Sequence, residues 1–412
     1  MNKNTKELVP KLRFPDFGNT EGWLPKSLGQ FITERNQTPA DKIPLYSLTI
    51  ENGVTPKTER YERSFLVKDE QNAYKVAFPD DFAFNPMNLR FGAIAKHSGS
   101  APVALSKYYN IFYCDKSVDS KFCEIYFKSD LMVNHYDDIA TGSLIEKRRV
   151  HFSEFLKLNI CFPQLEEQQK IADCLSSIDD LISAQSQKVE ALKTHKKGLM
   201  QQLFPREGET VPRLRFPKFR DAGEWECKQL KDACEKPFSG GTPSTTNRTY
   251  YGGTIPFIRS GEIDKHFTEL FLTEKGLSNS SAKLVQVGDV LVALYGANSG
   301  EVALSKMYGA INQAVLCLRS KTDNTFLYQY LLLKKDEITT KYLQGGQGNL
   351  SGDIVKSIEL QFPQKSEQKI IADCLSSIDD LISNQSQKLE ALKIHKKGLM
   401  QQLFPSTEAD SE

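Results

Sequence analysis

The chain carries one helical sequence twice. Residues 162–205 and 362–405 are identical at 37 of 44 positions, and both copies contain IADCLSSIDDLIS and HKKGLMQQLFP. The sequence between the copies hardly matches the sequence before the first one. A repeat of this kind fixes the number of structural units before any local motif is interpreted. The duplication therefore indicates two equal supports that carry two different modules.

Shorter repeats extend the duplication to the modules themselves. PKLRFPDF at 10–17 returns as PRLRFPKF at 212–219, and VALSKYY at 103–109 returns as VALSKMY at 302–308. The two tryptophans of the chain, Trp23 and Trp225, follow the first pair at the same offset. We expect one fold used twice. The predicted divisions are module 1 (1–161), a spacer helix (162–205), module 2 (206–361), a second spacer helix (362–405) and an acidic tail (406–412).

The repeated segments have the apolar spacing of a coiled-coil helix. With Gln and Lys at two slots of each copy, the spacing is an unbroken 4-3-4-3 pattern, which is the seam of a heptad repeat. Prolines stand just before and just after each copy and bound the predicted helices, at about 165–204 and 365–404. The predicted interface residues are Ile171, Leu175, Ile178, Ile182, Val189, Leu192, Leu199, Leu203, Ile371, Leu375, Ile378, Ile382, Leu389, Leu392, Leu399 and Leu403.

Charge predicts the direction in which the two helices pack. The first half of each copy is acidic and the second half is basic, so antiparallel packing places acid beside base. A register exists in which Ile171 faces Leu403 and Leu175 faces Leu399. We therefore expect an intramolecular antiparallel coiled coil. The alternative is that each helix caps its own module.

The modules read as mixed structure. The apolar runs DVLVAL (289–294) and AVLCL (314–318) predict strands, and residues 325–343 predict a helix. The predicted fold class is α+β: two domains of similar fold separated by the antiparallel pair of long helices, with pseudo-two-fold symmetry.

Composition and motifs restrict the function. The chain is 25% charged with a formal net charge of +1, and it has no apolar run of the ~20 residues that a membrane helix needs. Its eight cysteines form no CxxC and no zinc spacing, so we expect reduced thiols in a cytoplasmic protein. There is no GxxxxGK[ST], no GxGxxG after a strand and no HExxH, and NPM at 85–87 lacks the residues of a methyltransferase motif. We predict no catalytic and no metal-binding residue.

Polar loops of both modules carry side chains suited to DNA. Arg, Asn, Ser and Thr read base edges, while Lys and Arg hold phosphates. Any loop-rich surface holds such residues, so an ordinary solvated surface is the competing explanation for each. The candidate DNA-binding residues are Asn85, Asn88, Arg90, Lys96, His97, Ser98, Lys147, Arg148, Arg149, Thr242, Ser244, Arg248, Tyr250, Arg259, Ser260, Tyr295, Asn298 and Ser299.

Over essentially its whole length the chain resembles the specificity subunits of Type I restriction–modification enzymes. The resemblance is carried by the duplicated helices, the LRFP starts of both halves, SGGTPST at 239–245 and GDVLVALYGANSG at 288–300 followed by VALSK. Module 1 departs from this pattern, because NPMNLRFGAIAKHSGS (85–100) is about nine residues longer than its counterpart.

The resemblance implies a non-catalytic subunit whose two modules are target recognition domains. Each would read one half of a bipartite, asymmetric target in double-stranded DNA. The implied partners are two modification subunits, which methylate adenine, and restriction subunits, which cleave DNA with ATP. S-adenosylmethionine, ATP and Mg would then belong to those partners, with no cofactor in this chain and no membrane partner. The alternatives are a protein-binding coiled-coil adaptor and a self-contained DNA methyltransferase.

Overall fold

A computed structural model describes residues 8–40, 42–57, 73–144, 148–343 and 350–405. The chain divides into two compact units. Unit 1 comprises residues 1–184 and 389–412, and unit 2 comprises residues 185–388. Unit 1 therefore contains module 1, and unit 2 contains module 2.

In its described ranges module 1 combines short strands with three short α-helices. Its strands are β1 (Leu24–Ser27), β2 (Ile32–Arg35), β3 (Tyr46–Thr49), β4 (Gly53–Pro56), β5 (Tyr74–Ala77), β6 (Phe82–Phe84), β7 (Ile94–Lys96), β8 (Val103–Ser106), β9 (Asn110–Cys114) and β10 (Asn159–Phe162). Its helices are α1 (Ser120–Tyr126), α2 (Asp130–Ile139) and α3 (Phe152–Lys157). The long helix α4 (Leu165–Leu203) follows.

Module 2 has the same kind of composition. Its strands are β11 (Glu226–Gln229), β12 (Phe238–Ser239), β13 (Tyr251–Ile258), β14 (Phe271–Leu272), β15 (Lys283–Val285), β16 (Val290–Ala293), β17 (Val302–Leu304), β18 (Gly309–Ile311), β19 (Val315–Leu318) and β20 (Glu359–Phe362). Its helices are α5 (Leu230–Ala233), α6 (Glu274–Ser278), α7 (Asn324–Leu343) and α8 (Gly352–Ser357), and the long helix α9 (Lys365–Leu403) follows.

The two modules share their main sheet topology. A four-stranded antiparallel sheet runs β2-β9-β6-β7 in module 1 and β12-β19-β16-β17 in module 2. In each module a two-stranded antiparallel ribbon, β1–β10 or β11–β20, leads directly into the long helix. The prediction of one fold used twice is confirmed, as are the strands at β16 and β19 and the helix α7.

The two long helices have the predicted extent. Each is a single uninterrupted α-helix of 39 residues. None of the sixteen predicted seam residues is exposed, since every one is buried or half-buried. The exposed positions of both helices are dominated by the charged and polar residues between the seam positions, as the heptad pattern requires.

The predicted antiparallel direction is confirmed within each unit. In unit 1, Lys396 Nζ lies 2.6 Å from Asp179 Oδ1, so the basic end of α9 meets the acidic half of α4. In unit 2, Lys196 Nζ lies 2.6 Å from Asp379 Oδ1. The polar seam position Gln185 also finds a polar partner, because its Nε2 donates to the Oε1 of Gln385 at 2.9 Å.

The end of each long helix is part of a module's hydrophobic core. Phe404, the first residue after α9, packs on Trp23 and Tyr126 in unit 1, with ring centroids 6.3 and 5.1 Å apart. In unit 2, Phe204, the first residue after α4, packs on Trp225 with ring centroids 6.3 Å apart. Both tryptophans are buried, at 0% and 3% exposure. The repeated tryptophans are therefore core residues that join a module to a helix end.

Two further sequence expectations concern cysteines and membranes. All eight cysteines are free thiols. In the part of the chain that is described, no helix is long and apolar enough to cross a membrane.

Candidate functional site

Three candidate DNA-binding residues of module 1 lie together in the loop that joins β6 to β7. Asn85 follows β6 and its Oδ1 accepts a hydrogen bond from the backbone N–H of Met87 at 3.0 Å. Asn88 is exposed and precedes a single 3₁₀ turn, Leu89–Phe91. Arg90 lies within that turn. The loop is therefore held by local hydrogen bonds and presents Asn88 at its surface.

Arg90 and Arg148 converge on one carboxylate. Arg90 Nη1 and Arg148 Nη1 lie 3.3 and 3.2 Å from Asp137 Oδ1, near the end of α2. Arg148 also donates to the backbone oxygen of Ala140 at 3.1 Å. Its guanidinium is therefore largely used to close the α2 end. Arg149 is exposed and its backbone forms a β-bridge with Thr141, while Lys147 lies outside the described residues.

The other candidates of module 1 lie at the far end of β7. Lys96 Nζ is 3.2 Å from Asp80 Oδ1, and the lysine side chain is 9% exposed. His97 is buried, and its Nε2 lies 2.8 Å from the backbone oxygen of Ala101. Ser98 is exposed. Of these three, Ser98 is the side chain with open access to a ligand in solvent.

The first candidates of module 2 lie on the segment between β12 and β13. Thr242 Oγ1 donates to Gln313 Oε1 at 2.6 Å, and both this threonine and Ser244 are exposed. Arg248 is exposed and begins a 3₁₀ turn that ends at the half-buried Tyr250. This loop brings four of the predicted residues onto one continuous surface segment.

Arg259 occupies a different environment from Arg248. Its guanidinium donates to Glu262 Oε2 at 3.0 Å, to Glu262 Oε1 at 2.9 Å and to Glu269 Oε2 at 2.7 Å. Burial acts to raise the pKa of Glu262, but the hydrogen bonds from Arg259 prevail and lower that pKa to about 2. Arg259 is therefore a clamp that orders the turn after β13, while the neighbouring Ser260 is half-buried.

The Gly-rich turn after β16 meets the turn that contains Ser260. A Cβ atom placed on Gly261 would lie 3.2 Å from the Nδ2 of Asn298, so the two turns are in contact. Ser299 Oγ donates to the backbone oxygen of Leu294 at 2.8 Å and so shapes its own turn. Tyr295 is half-buried and packs against the core of unit 2. Asn298 is the exposed member of this group.

The candidates differ in exposure and in their partners within the fold, and Asn85, Tyr250, Ser260 and Tyr295 are half-buried. Exposed side chains that a duplex could reach are Asn88, Ser98, Arg149, Thr242, Ser244, Arg248 and Asn298. Arg90, Lys96, His97, Arg148, Arg259 and Ser299 have internal partners that shape the loops. DNA contact by any of them stays a prediction. Across the described ranges no group of three His, Cys, Asp or Glu could hold a metal ion.

Sequence reasoning missed the residues that fasten each module to its helix. Arg13 of LRFP donates Nη2 to Glu167 Oε2 at 2.7 Å, and Arg215 of the second LRFP donates Nε to Glu367 Oε1 at 2.7 Å. Their side chains are almost fully buried, and the hydrogen bond to the glutamate raises the pKa of each arginine. The signal was present, because both the LRFP octet and this glutamate occur in both halves.

Comparison with known proteins relates the chain to one family. The family model described as Type I restriction modification DNA specificity domain matches residues 103–194 and 222–393, which is more than half of the chain. The putative type I restriction enzyme MjaX specificity subunit of Methanocaldococcus jannaschii is 29% identical over 289 residues, 66% of this chain and 66% of that protein. The MjaVIII specificity subunit of the same organism is 27% identical over 267 residues, 61% of this chain and 62% of that protein.

Solved structures show the same fold at low identity. The Type I restriction–modification system S subunit from M. genitalium matches with a TM-score of 0.62 and 13% identity, and the match covers 97% of this chain and 100% of that one. The curated relatives above, in contrast, are matched over just under two thirds of their own length.

Proposed function

Because the chain belongs to the family of Type I restriction–modification DNA specificity proteins, we propose that it is the DNA-recognition subunit of such an enzyme. Each module reads one half of a bipartite, asymmetric target in double-stranded DNA. The chain itself performs no chemistry. Two modification subunits, which bring S-adenosylmethionine, methylate adenine within the target, and restriction subunits that use ATP and Mg cleave DNA.

The observation that supports this proposal most strongly is that both modules are joined to a long helix by the same Arg–Glu pair, while their exposed loops differ. In unit 1 the Arg13–Glu167 pair and Trp23 fix module 1, and in unit 2 Arg215–Glu367 fixes module 2 in the same way. The exposed loops differ: between equivalent strands module 1 carries NPMNLRFGA with its 3₁₀ turn, whereas module 2 carries the Gly-rich turn between β16 and β17, and module 2 also presents the segment between β12 and β13. A repeated attachment with divergent loops suits two readers of different base sequences.

The energetics of base reading support a two-module reader. A good bidentate contact to a base is worth roughly 1–3 kcal/mol of discrimination, so one small module distinguishes few base pairs. When two modules are joined rigidly, their contributions to discrimination between DNA sequences add as free energies and so multiply as affinity ratios. We propose that the uninterrupted helices α4 and α9 set the number of base pairs between the half-sites.

Exchange of a module tests this function. The chain is expressed with its modification subunits, and methylated adenines are mapped across the genome. Replacing residues 206–361 by the corresponding module of a related protein is expected to change one half of the methylated sequence and leave the other half unchanged. Changes in both halves would refute separate reading by the two modules.

Two controls separate the alternatives. Methylation of DNA by the purified chain alone, with labelled S-adenosylmethionine, would identify a self-contained methyltransferase. Normal assembly with the modification subunits but no salt-dependent binding of duplex DNA would identify a protein-binding adaptor. Under the proposal, the chain alone is inactive and the complex binds DNA.

A further inference from the structure

A cavity of about 670 Å³ in unit 1 is lined by five lysines. They come from three segments: Lys11 near the start of the chain, Lys128 just after α1, and three residues on the last turns of α9. Those three are Lys393, Lys396 and Lys397. Asp130 is the one carboxylate among the described lining residues. The lining therefore has a strong excess of positive charge, which attracts anions.

Internal ion pairs neutralise only part of this charge. Lys396 pairs with Asp179 at 2.6 Å. Two others are held loosely, since Lys128 is 3.6 Å from Glu124 and Lys393 is 3.9 Å from its helix neighbour Glu390. Lys11 and Lys397 are exposed, and no described carboxylate forms an ion pair with either. The cavity thus holds cationic side chains that an external anion could bind.

A break between two helices opens this cavity in module 1. α1 ends at Tyr126, which packs on Phe404, and α2 begins only at Asp130. The lining residues Lys128 and Ser129 lie in that break.

Unit 2 lacks the break, although its helix end is the same. Tyr330 packs on Phe204 as Tyr126 packs on Phe404, with centroids 4.4 and 5.1 Å apart, but α7 continues unbroken through this point. Leu332 and Leu333 stand where module 1 has Lys128 and Ser129, counting from the two tyrosines. The cavity beside Phe204 in unit 2 is lined by Arg206 and Lys334 together with Glu207 and Glu337, so its described charges balance, whereas the unit 1 cavity keeps an excess of lysines.

We propose that the lysine cavity of unit 1 binds phosphate groups of the DNA backbone, a contact without a counterpart in unit 2. This inference rests on the proposed function. It is supported by the excess of lysines over carboxylates in the described lining and by the exposure of Lys11 and Lys397. The flexible ammonium groups hold phosphates without reading bases, so the site adds affinity and orientation while leaving the recognised sequence unchanged.

The internal repeat supplies a matched control for the test. Lys393→Gln/Lys397→Gln removes two charges from the cavity, and Lys193→Gln/Lys197→Gln removes the same charges from the same sequence in unit 2. Binding of a duplex that contains the target to the complex with modification subunits is measured from 50 to 400 mM salt. For each phosphate that the protein no longer neutralises, the negative slope of log K against log salt is expected to become shallower by about 0.9, which corresponds to a loss of roughly eightfold in affinity at 0.1 M salt. The unit 2 variant is expected to match the wild type within about twofold.

The outcomes distinguish failure of this inference from failure of the proposed function. A wild-type complex without sequence-specific binding would overturn the function itself. A normal wild type together with equal effects of the two variants would overturn the cavity assignment alone. Loss of assembly with the modification subunits in the unit 1 variant would also overturn it, because the cavity would then bind a protein. The Lys397→Gln variant, altered at one exposed residue, repeats the test with less risk to folding.

Two further arms test the source of the phosphate and a competing anion. When the complex is titrated with ATP, the wild type and the cavity variant are expected to behave alike. Saturable ATP binding that is present in the wild type and lost in the cavity variant would assign the cavity to a free nucleotide. A chain that ends at Pro405 removes Glu408, Asp410 and Glu412. In this shortened chain the unit 1 lysine variant is still expected to weaken DNA binding more than the unit 2 variant does. If the two variants then bound DNA equally, DNA would not be the occupant of the cavity.

Discussion

Replacing Arg215 by methionine tests how a module is fastened to its helix. The guanidinium donates Nε to Glu367 Oε1 at 2.7 Å and Nη2 to Oε2 at 2.8 Å, and the glutamate side chain is 1% exposed. Methionine keeps the apolar stem but leaves a buried carboxylate without a counter-charge. Breaking a buried pair in this way costs about 3–5 kcal/mol, which we expect as the loss in free energy of unfolding of unit 2.

A double variant separates the charge effect from lost packing. In Arg215→Met/Glu367→Leu both charges are absent, so most of the loss should be recovered. The remaining deficit should be about 1–2 kcal/mol, because Arg215 also donates Nη1 to the backbone oxygens of Ala222 and Gly223. The expected order of stability is wild type, double variant, single variant.

The tryptophans provide the assay. Each unit contains one of the two tryptophans of the chain, Trp23 or Trp225, and both are buried. Urea unfolding followed by fluorescence in a Trp23→Phe background reports on unit 2. A single variant within about 1 kcal/mol of wild type, or a double variant no more stable than the single one, would refute this reasoning. Arg13→Met should produce an equal loss in unit 1, reported by Trp23 in a Trp225→Phe background.

Three other predictions concern acid stability, a tight glycine and chain order. Because the folded-state pKa of Glu262 is lowered from 4.5 to about 2, its stabilisation is present above pH 4.5 and is lost as the pH falls toward 2; Arg259→Gln should weaken this dependence in acid unfolding curves, and an unchanged acid profile would contradict it. Gly240→Ala would place a Cβ well inside van der Waals distance of a backbone oxygen, so the melting temperature should fall by several degrees, whereas no fall would show that the strand can shift. The backbone N–H of Leu12 donates to the backbone oxygen of Gln402 at 3.0 Å, so residues near both termini are adjacent. A circular permutant that joins the two termini and begins between α4 and β11 should therefore keep the native circular dichroism spectrum. Loss of that spectrum would contradict this prediction.

The sequence predicted the long helices well because their determinants are local. The heptad spacing follows from the helical period, and every seam residue, from Ile171 to Leu403, is buried or half-buried. The antiparallel direction of packing was also predictable, because the acidic first half and basic second half of each copy are visible in the sequence itself. Strands such as β16 were predictable because a run of buried apolar residues between turns has few other solutions.

The DNA-binding candidates were less predictable because residue type does not reveal its partners. His97 looked like a loop residue, yet the fold buries it against the backbone of Ala101. Arg248 and Arg259 carry the same group eleven residues apart, but one is exposed and the other is clamped by two glutamates. Which arginine remains available is decided by the loops that fold beside it.

The sequence by itself determined that the chain contains two equivalent helical segments with a heptad pattern. It also determined that the two helices pack antiparallel, because hydrophobic periodicity and charge distribution are properties of the sequence. The tertiary structure alone decided which polar groups are used internally and which face solvent. Arg13 and Glu167 are separated by 154 residues, and the lysines of the cavity come from three distant segments. Such neighbours are created by packing, so no local pattern encodes them.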